Sequence, residues 1–315
     1  MSEINNKIGV LVMSYGTPQS LEDVETYYTH IRRGHAPTPE QLKELTDRYE
    51  AIVGGVFPLR ENTNGQVGGL QDKLEQLAPG RYVCYQGLKH AVPYIEDGVE
   101  QMAQSGIKEA VGIVLAPHYS VMSVGSYIKR AQEKADELGI KMSFVKEYHL
   151  HPKLLQALSE RVTDGLSRLA ASSGDVKPVK VLFSAHSLPE KIREMGDPYE
   201  QQLLATSEAV AKLANVDEST WQFTWQSAGR TREPWLGPDI LDTLKTLADD
   251  GIKAVLVAPV GFVSDHLEVL YDLDLEAKQA ASELGITLER IAMLNKDPLY
   301  METLAESVLQ AGSLE

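Results

Sequence analysis

Cysteine is nearly absent from this chain, whose 315 residues include only Cys84. No disulfide can form within the chain, and the Cys-x-x-Cys pairs and grouped thiolates that redox and iron–sulfur sites need are missing. The first residues, MSEINNKIG, are polar and do not follow the charged-then-apolar order of a secretory signal peptide. We therefore expect a reduced, cytoplasmic protein without an iron–sulfur cluster.

Long apolar runs and an excess of basic residues are also lacking. The longest apolar stretch, AVLVAPVGFV from Ala254, is far shorter than the ~20 residues that a membrane-spanning helix needs. Acidic residues outnumber basic ones by 45 to 30, which gives a formal charge of −15. Nucleic acids and anionic membranes bind basic surfaces. We therefore expect no nucleic-acid partner and no integral membrane association, and an anionic ligand must be bound by a local cluster of arginines.

Several signature motifs of common enzyme classes are missing as well. The chain contains no GxGxxG, no GxxxxGKS/T, no GxSxG and no HExxH. These motifs bind dinucleotides, hold phosphates in a P-loop, carry a nucleophilic serine or bind zinc. Dinucleotide binding, phosphoryl transfer by a P-loop and serine hydrolysis therefore have no support in the sequence.

What the sequence does contain is a regular alternation of short apolar runs and longer helix-patterned segments. The runs are continuously hydrophobic, which is typical of parallel strands buried on both faces. The predicted strands are 8–14, 81–86, 109–115, 142–147, 179–185, 220–226, 253–259 and 288–293. This pattern predicts an α/β protein whose parallel sheets are covered by helices.

The two halves of the chain resemble each other. GIKEAVGIVLAPHYS at 106–120 matches GIKAVLVAPVGFVS at 251–264, and VLVMSYGTP at 10–18 matches VLFSAHSLP at 181–189. The matches occur in the same order, so we predict two similar three-layer domains with an interdomain cleft. We place the domains at 1–170 and 178–297, joined by the Gly- and Pro-containing stretch AASSGDVKP. A final helix at about 298–315 is expected to pack back on the first domain.

Ligands of open parallel sheets bind beyond the carboxyl ends of the strands. His186 lies at such an end, at the position that Tyr15 occupies in the other half. A lone histidine there is more often a hydrogen-bonded loop residue than a catalyst. Paired with Glu268 it gains a second interpretation, because imidazole nitrogen and carboxylate oxygen suit a borderline divalent metal such as Fe²⁺.

The segment SDHLEVLYDLDLE at 264–276 carries an acidic stripe. Ser264 or Asp265 is expected to cap a helix, on which Glu268, Asp272 and Glu276 recur at every fourth position. No Lys or Arg occurs between 265 and 277 to relieve the repulsion between these carboxylates. Two interpretations remain open, a solvated acidic face and a path for a cation.

Arginines and tyrosines form a further group, concentrated in the N-terminal half. Arg32, Arg48, Tyr49 and Tyr127 belong to it. Arginines in an acidic protein can bind ligand carboxylates through two parallel hydrogen bonds, and tyrosines suit a flat, partly apolar ligand. Surface solvation and ordinary helix packing explain the same residues equally well.

A series of segments along nearly the full chain resembles the ferrochelatases. The segments are GVLVMSYGTP, YYTHIRRG, DRYEAI, QGLKH, VLAPHYS, FSAHSLPEKI, DPYEQQL, EPWLGPD and PVGFVSDHLEVLYDLD. This resemblance implies two Rossmann-like domains and an enzyme, a lyase, that inserts Fe²⁺ into a porphyrin without an organic cofactor. Tyr15, together with the lack of a membrane tail and of cluster cysteines, indicates the coproporphyrin-using branch of Gram-positive bacteria.

The resemblance also implies roles for single residues. His186 and Glu268 correspond to the catalytic pair that binds the metal, and Asp272 and Glu276 continue a path of carboxylates from it. His90 corresponds to a further residue near the metal. The positions implied for porphyrin binding are Tyr15, Arg32, Arg48, Tyr49, Phe57 and Tyr127. Phe57 departs from the family pattern, which has a serine there, and this puts a serine contact to a propionate in doubt.

The implied function is therefore insertion of Fe²⁺ into coproporphyrin III to give coprohaem in haem biosynthesis, by a protein that we expect to be a monomer. Alternatives are a protoporphyrin IX ferrochelatase, a cobalt or nickel chelatase, and a porphyrin or haem carrier without catalysis. A carrier would need the arginines and tyrosines but neither the His186–Glu268 pair nor the acidic stripe. Side-chain types do not separate Fe²⁺ from Co²⁺ or Zn²⁺.

Overall fold

The computed structural model describes residues 7–52, 54, 57–174, 177–229 and 231–312. Within these residues the chain forms two four-stranded sheets in which all strands are parallel. The strands are β1 (Ile8–Ser14), β2 (Tyr82–Leu88), β3 (Glu109–Val114), β4 (Lys141–Val145), β5 (Val179–His186), β6 (Trp221–Gln226), β7 (Ala254–Ala258) and β8 (Thr287–Arg290).

Helices cover the sheets. They are α1 (Val24–Ile31), α2 (Pro39–Ile52), α3 (Pro58–Leu77), α4 (Ile95–Gln104), α5 (Val124–Leu138), α6 (Pro152–Ser173), α7 (Tyr199–Leu213), α8 (Ile240–Asp249), α9 (Leu267–Leu270), α10 (Lys278–Glu283) and α11 (Pro298–Ala311). A π-helical segment, Asp272–Ala277, joins α9 to α10. None of the described helices is long and apolar enough to cross a bilayer.

Strand order confirms the predicted fold class. The first sheet runs β2-β1-β3-β4 and the second runs β6-β5-β7-β8, so the two sheets share one topology. Each predicted strand overlaps an observed one. The inner strands β1, β3, β5 and β7 are mostly buried, whereas the outer strands β2, β4, β6 and β8 are only partly buried. In β7, for example, every residue from Ala254 to Ala258 is fully buried.

The chain divides into two compact units whose borders differ from the predicted ones. One unit comprises Met1–Tyr148 with Asn295–Glu315, and the other comprises His149–Leu294. Helix α6, which the prediction placed in the first domain, packs against β7 and β8 of the second sheet. Its Gly165 faces Leu256, where a Cβ atom would lie 2.8 Å from the leucine side chain. An amphipathic helix pattern does not tell which of two sheets the helix covers, so the sequence placed this border too late.

Helix α11 lies in the first unit, where it packs against α3, β3 and β4. The phenolic oxygens of Tyr300 and Tyr148 are 3.0 Å apart, and both side chains are buried. The Gln66 side chain in α3 donates to the carbonyl of Asn295 at 2.8 Å. These contacts attach the end of the chain to the sheet formed by its beginning.

Candidate active site

The structure brings His186 and Glu268 together in the second unit. His186 is the last residue of β5 and Glu268 lies in the first turn of α9. The Nδ1 atom of His186 is 3.1 Å from Oε2 of Glu268, and each side chain keeps 33% of its surface exposed. The loop after β7 approaches β5 closely, since a Cβ atom on Gly261 would lie 2.3 Å from the Ala185 Cβ. This approach positions the loop that leads into α9 beside the end of β5.

The two side chains shift each other's pKa. Burial lowers the pKa of His186, but the negative charge of Glu268, together with that of Asp272, outweighs burial and raises it. Burial raises the pKa of Glu268, but His186 and His266 outweigh burial and leave it well below its usual range. The His266 Nε2 atom is 3.8 Å from the same carboxylate oxygen. In the absence of a cation, both shifts favour an imidazolium beside a carboxylate.

Hydrogen bonds from the strand β6 and the helix α7 hold this pair in place. The Gln226 side chain at the end of β6 donates to the carbonyl of Glu268 at 2.8 Å and accepts from the Ser184 hydroxyl at 2.8 Å. The Tyr199 hydroxyl donates to the carbonyl of His186 at 3.1 Å. Both residues of the pair are thus fixed through their backbones, which leaves their side chains available to a ligand.

The helix that carries the acidic stripe is less regular than predicted. His266, rather than Ser264 or Asp265, occupies the N-cap, and its side chain makes no cap hydrogen bond. From Asp272 onward the helix widens, and the N–H of Glu276 bonds the carbonyl of Tyr271 at 2.9 Å, a five-residue step. Such π-helical turns frequently occur at functional sites.

The members of the stripe have different surroundings. Asp272 is buried, and its Oδ2 accepts a 2.5 Å hydrogen bond from the Ser227 hydroxyl. Glu276 is exposed. Ser227 has φ = 59°, a left-handed conformation that is uncommon outside glycine and that aims its hydroxyl at Asp272. No role was predicted for Ser227 or His266, although His266 lies within the segment SDHLEVLYDLDLE.

In the first unit, Tyr15 and His90 meet at the carboxyl end of the first sheet. Tyr15 follows β1 and His90 follows β2, and their ring centroids are 4.6 Å apart. The Nδ1 atoms of His90 and His30 are 2.9 Å apart, so one imidazole donates to the other. Burial lowers the pKa of His90 to about 3, and the positive charges of Lys89 and Arg130 contribute. His30, which also stacks on Tyr94, was missed by the sequence analysis.

Tyr127 lies close to this group. The Lys89 ammonium is 4.9 Å from the centroid of the Tyr127 ring and donates to the Ser126 hydroxyl at 2.8 Å. Burial lowers the pKa of Lys89 to about 8, with contributions from Arg130 and Arg33, and burial raises the pKa of Tyr127. A partly desolvated ammonium at this edge is well suited to an anionic ligand.

The remaining residues predicted to bind porphyrin lie just after α1, on α2 and just before α3. The Arg32 side chain donates from Nε to the carbonyl of His35 at 3.1 Å, and the Arg48 Nε atom is 3.9 Å from Glu44. Tyr49 and Phe57 are both buried, with ring centroids 5.2 Å apart. Phe57 therefore fills an apolar contact with Tyr49 and has no polar group for a carboxylate.

Among the described residues, no group of three or more His, Cys, Asp and Glu side chains is arranged to hold a metal ion. A metal-binding role for His186, Glu268, Asp272, Glu276 and His90 therefore stays a prediction. The His186–Glu268 pair itself offers one nitrogen and two oxygen donors, a combination that suits a borderline divalent cation. The same imidazole can accept a proton near neutral pH once that cation is absent or displaced.

Comparison with solved structures defines the class of fold. Sirohydrochlorin chelatase SirB from Bacillus subtilis subspecies spizizenii, solved in complex with cobalt, is similar over 98% of this chain and 97% of its own, with a TM-score of 0.56 and 11% identity. The fold is thus the two-domain α/β fold of chelatases.

Sequence comparison defines the family. The ferrochelatase family profile matches residues 7–311. The coproporphyrin III ferrochelatase of Anoxybacillus flavithermus is 47% identical over 96% of this chain and 95% of its own length. The ferrochelatase of Herpetosiphon aurantiacus is 44% identical over 95% of this chain and 97% of its own. The chain belongs to the ferrochelatase family, whose members are lyases that use Fe²⁺ as a substrate, and this confirms the resemblance found in the sequence.

Proposed function

We propose that this protein inserts Fe²⁺ into coproporphyrin III to give coprohaem. The observation that carries the proposal is the 3.1 Å contact between His186 and Glu268 at the carboxyl end of β5. Relatives named coproporphyrin III ferrochelatase that match almost the whole chain support the choice of substrate. A porphyrin carrier would have no use for a fixed imidazole–carboxylate pair, and this favours the enzyme.

Metal insertion must strip water from Fe²⁺, pucker the ring and remove two pyrrole protons. We assign the exchange of water for protein ligands to Glu268 and His186, because their donors suit Fe²⁺. Binding of the cation displaces the proton that Glu268 stabilises on the imidazole. As Fe²⁺ passes to the ring, the freed imidazole accepts the two pyrrole protons in turn; it releases the first to solvent, and the second restores the imidazolium beside Glu268.

We assign porphyrin binding to residues of the first unit. Tyr15 and His90 form a ring contact at the end of the sheet, and Lys89 adds a positive charge beside Tyr127. Tyr49 and Phe57, whose buried rings pack on each other, are proposed to support the binding surface, and Arg32 and Arg48 are proposed to bind the propionates. Binding energy from these peripheral carboxylates offsets the strain of puckering.

Coproporphyrin carries four propionates and protoporphyrin carries two. Each additional charge-assisted contact contributes about 1.5–3 kcal/mol where the groups are desolvated, so two further contacts are enough to decide the preference. Phe57 offers no polar atom to a propionate, since its side chain is a hydrocarbon ring that packs on Tyr49. The proposal therefore relies on the arginines rather than on a hydroxyl at position 57.

The experiment is an anaerobic mixture of the purified protein with Fe²⁺ and either porphyrin, followed by absorbance. We expect the free-base bands of coproporphyrin to be replaced by those of the metalloporphyrin at a rate proportional to enzyme, and a lower catalytic efficiency with protoporphyrin. A shift of the porphyrin spectrum without metal insertion would indicate a carrier. A higher catalytic efficiency with protoporphyrin would contradict coproporphyrin as the porphyrin substrate. A higher efficiency with Co²⁺ would contradict Fe²⁺ as the metal substrate.

The same preparation tests the remaining expectations. Turnover with Fe²⁺ and porphyrin alone would support a reaction without an organic cofactor. Sedimentation at several concentrations tests whether the chain is a monomer. Cell fractionation tests the cytoplasmic location, for which the low cysteine content is the supporting observation.

A further inference from the structure

Arg290, the last residue of β8, makes the densest set of ionic contacts near the acidic stripe. Its Nε and Nη2 atoms donate to the two carboxylate oxygens of Asp274, each at 2.8 Å. Nη2 also donates to Oδ1 of Asp265 at 3.2 Å, and Nη1 donates to the carbonyl of Ile291 at 2.9 Å. Only 13% of the Arg290 side chain is exposed, so solvent screens these contacts less than it screens surface ion pairs.

These contacts connect the two segments that bracket Glu268. Asp265 precedes α9 in the loop that leads to Glu268, whereas Asp274 belongs to the π-helical segment that follows α9. A planar guanidinium that bonds both carboxylates limits the distance and the rotation between these segments.

A second anchor lies at the other edge of the sheet. Asp272 accepts the hydroxyl of Ser227, which follows β6, and Asp274 is bound by Arg290 on β8. The strands β6 and β8 are the two outer strands of the second sheet. The π-helical segment is therefore attached to both edges, through carboxylates only two residues apart.

Arg290 also divides the carboxylates of the segment 265–276 by charge. Asp265 and Asp274 have a cationic partner in Arg290, whereas Glu268, Asp272 and Glu276 do not contact it. The lack of Lys and Arg within the segment is thus compensated at Asp265 and Asp274 by an arginine from β8, whereas Glu268 pairs with His186.

Together these contacts carry the inference. We infer that Arg290 is a positioning residue, which holds the loop before α9 and the π-helical segment so that Glu268 stays beside His186 while Asp272 and Glu276 follow it along the path of the incoming cation. This inference rests on the proposed function, since it concerns delivery of Fe²⁺ to the same site. The ligand that the positioned carboxylates receive is a hydrated divalent cation.

The test compares Arg290→Lys with wild type. Lysine keeps the positive charge. Its single ammonium group cannot reproduce the planar set of hydrogen bonds that arginine makes to both carboxylate oxygens of Asp274 and to one of Asp265. We expect the apparent KM for Fe²⁺ to rise roughly 10-fold, the lower end of the effect of losing an outer partner of a metal ligand, while the KM for porphyrin stays unchanged. Arg193→Gln is the matched control, because Arg193 pairs through two nitrogens with Glu200 elsewhere in the same unit.

A second readout does not depend on turnover. Co²⁺ is titrated into the porphyrin-free protein by calorimetry, and we expect weaker Co²⁺ binding in Arg290→Lys but not in Arg193→Gln. Asp274→Asn keeps the shape of the side chain and removes the negative charge that Arg290 binds, so it should weaken Co²⁺ binding in the same way. This variant replaces Arg290→Lys in the test if Arg290→Lys does not fold. Unchanged cation binding, or a parallel rise of both KM values, would overturn the inference. If the wild-type protein inserted no Fe²⁺ into porphyrin, the proposed function would be contradicted. The Co²⁺ titration would still test the role of Arg290.

Discussion

The His186–Glu268 contact favours one protonation state of the imidazole, and the proposed chemistry requires the other. The carboxylate raises the pKa of His186 and so favours the protonated ring, yet a ring that binds Fe²⁺ or accepts a pyrrole proton must be neutral. Cation binding removes that proton, and the affinity for the cation should therefore increase with pH. In the proposed role, the pair holds a proton in the absence of metal and releases it on metal binding.

His186→Ala should nearly abolish metal insertion and leave porphyrin binding intact. The substitution removes the nitrogen donor and the proton acceptor, but it lies in the unit that we do not assign to porphyrin binding. Anaerobic turnover and the porphyrin fluorescence titration measure the two properties separately. Near-normal turnover in this variant would contradict the role of His186.

Glu268→Gln should destabilise the fold in a pH-dependent way. The Glu268 contribution to stability is present above the unfolded-state pKa of about 4.3 and is lost as pH falls through its lowered folded-state pKa. The His186 contribution is complete below about 6.5 and is lost as pH rises through its raised pKa. We therefore expect the largest decrease in Tm between these two values and a smaller one at high pH.

Glu200→Gln is the matched control for this pH dependence. Glu200 pairs with Arg193, which stays charged, and this pairing lowers the Glu200 pKa. Its loss should lower Tm by a similar amount at neutral and at high pH. If the decrease caused by Glu268→Gln persists unchanged at high pH, His186 does not supply the partner charge.

The segment from α9 to α10 is the element in which the sequence pattern and the geometry differ most. Its every-fourth-residue spacing predicts a single carboxylate face, but the π-helical turn at Asp272 changes the spacing and buries that residue against Ser227. A buried carboxylate beside an exposed one is easier to explain as part of a path than as a solvated face.

Asp272→Asn combined with Glu276→Gln should raise the KM for Fe²⁺ more than the KM for porphyrin. The double change keeps side-chain shape and removes two negative charges from the proposed path. If the stripe is only a solvated face, neither KM changes, and relief of like-charge repulsion slightly stabilises the helix. Steady-state kinetics with each substrate varied in turn decides between these results.

The loop after β7 gives a prediction about stability. A Cβ atom on residue 261 would lie 2.3 Å from the Cβ and 2.8 Å from the Cα of Ala185, neither of which moves without the strand. Gly261→Ala should lower the free energy of unfolding by ~1–3 kcal/mol and reduce turnover, because His186 follows Ala185. Gly68→Ala is the control, since its added Cβ would meet nothing within 4 Å. Equal stability of the two variants in chemical denaturation would contradict the close approach.

At the scale of the whole molecule, a formal charge of −15 opposes a tetra-anionic substrate. Local arginines must therefore overcome a field that repels the ligand. Arg32→Ala and Arg48→Ala should each raise the KM for coproporphyrin more than that for protoporphyrin. Arg81→Ala removes the same charge from an exposed position of the first unit and is the control. Equal effects of all three substitutions would indicate a diffuse charge effect instead of specific contacts.

The sequence by itself determined the two sheets and the residues that end their strands. Continuous apolar runs predict strands buried on both faces, and polar residues that follow them, such as Tyr15 and His186, mark the edge where ligands bind. These features were readable because they depend on neighbours in sequence and on the burial that a periodic pattern requires.

Only the tertiary structure decided which of these residues touch. His90 meets His30 across 60 residues, Arg290 reaches Asp265 across 25, and α6 covers the second sheet instead of the first. Each of these contacts depends on the path of the chain between the partners and on the rotamer each side chain adopts in the packed fold. Local patterns do not encode that path, because a helix face or a charged side chain is compatible with many partners until the rest of the chain excludes all but one.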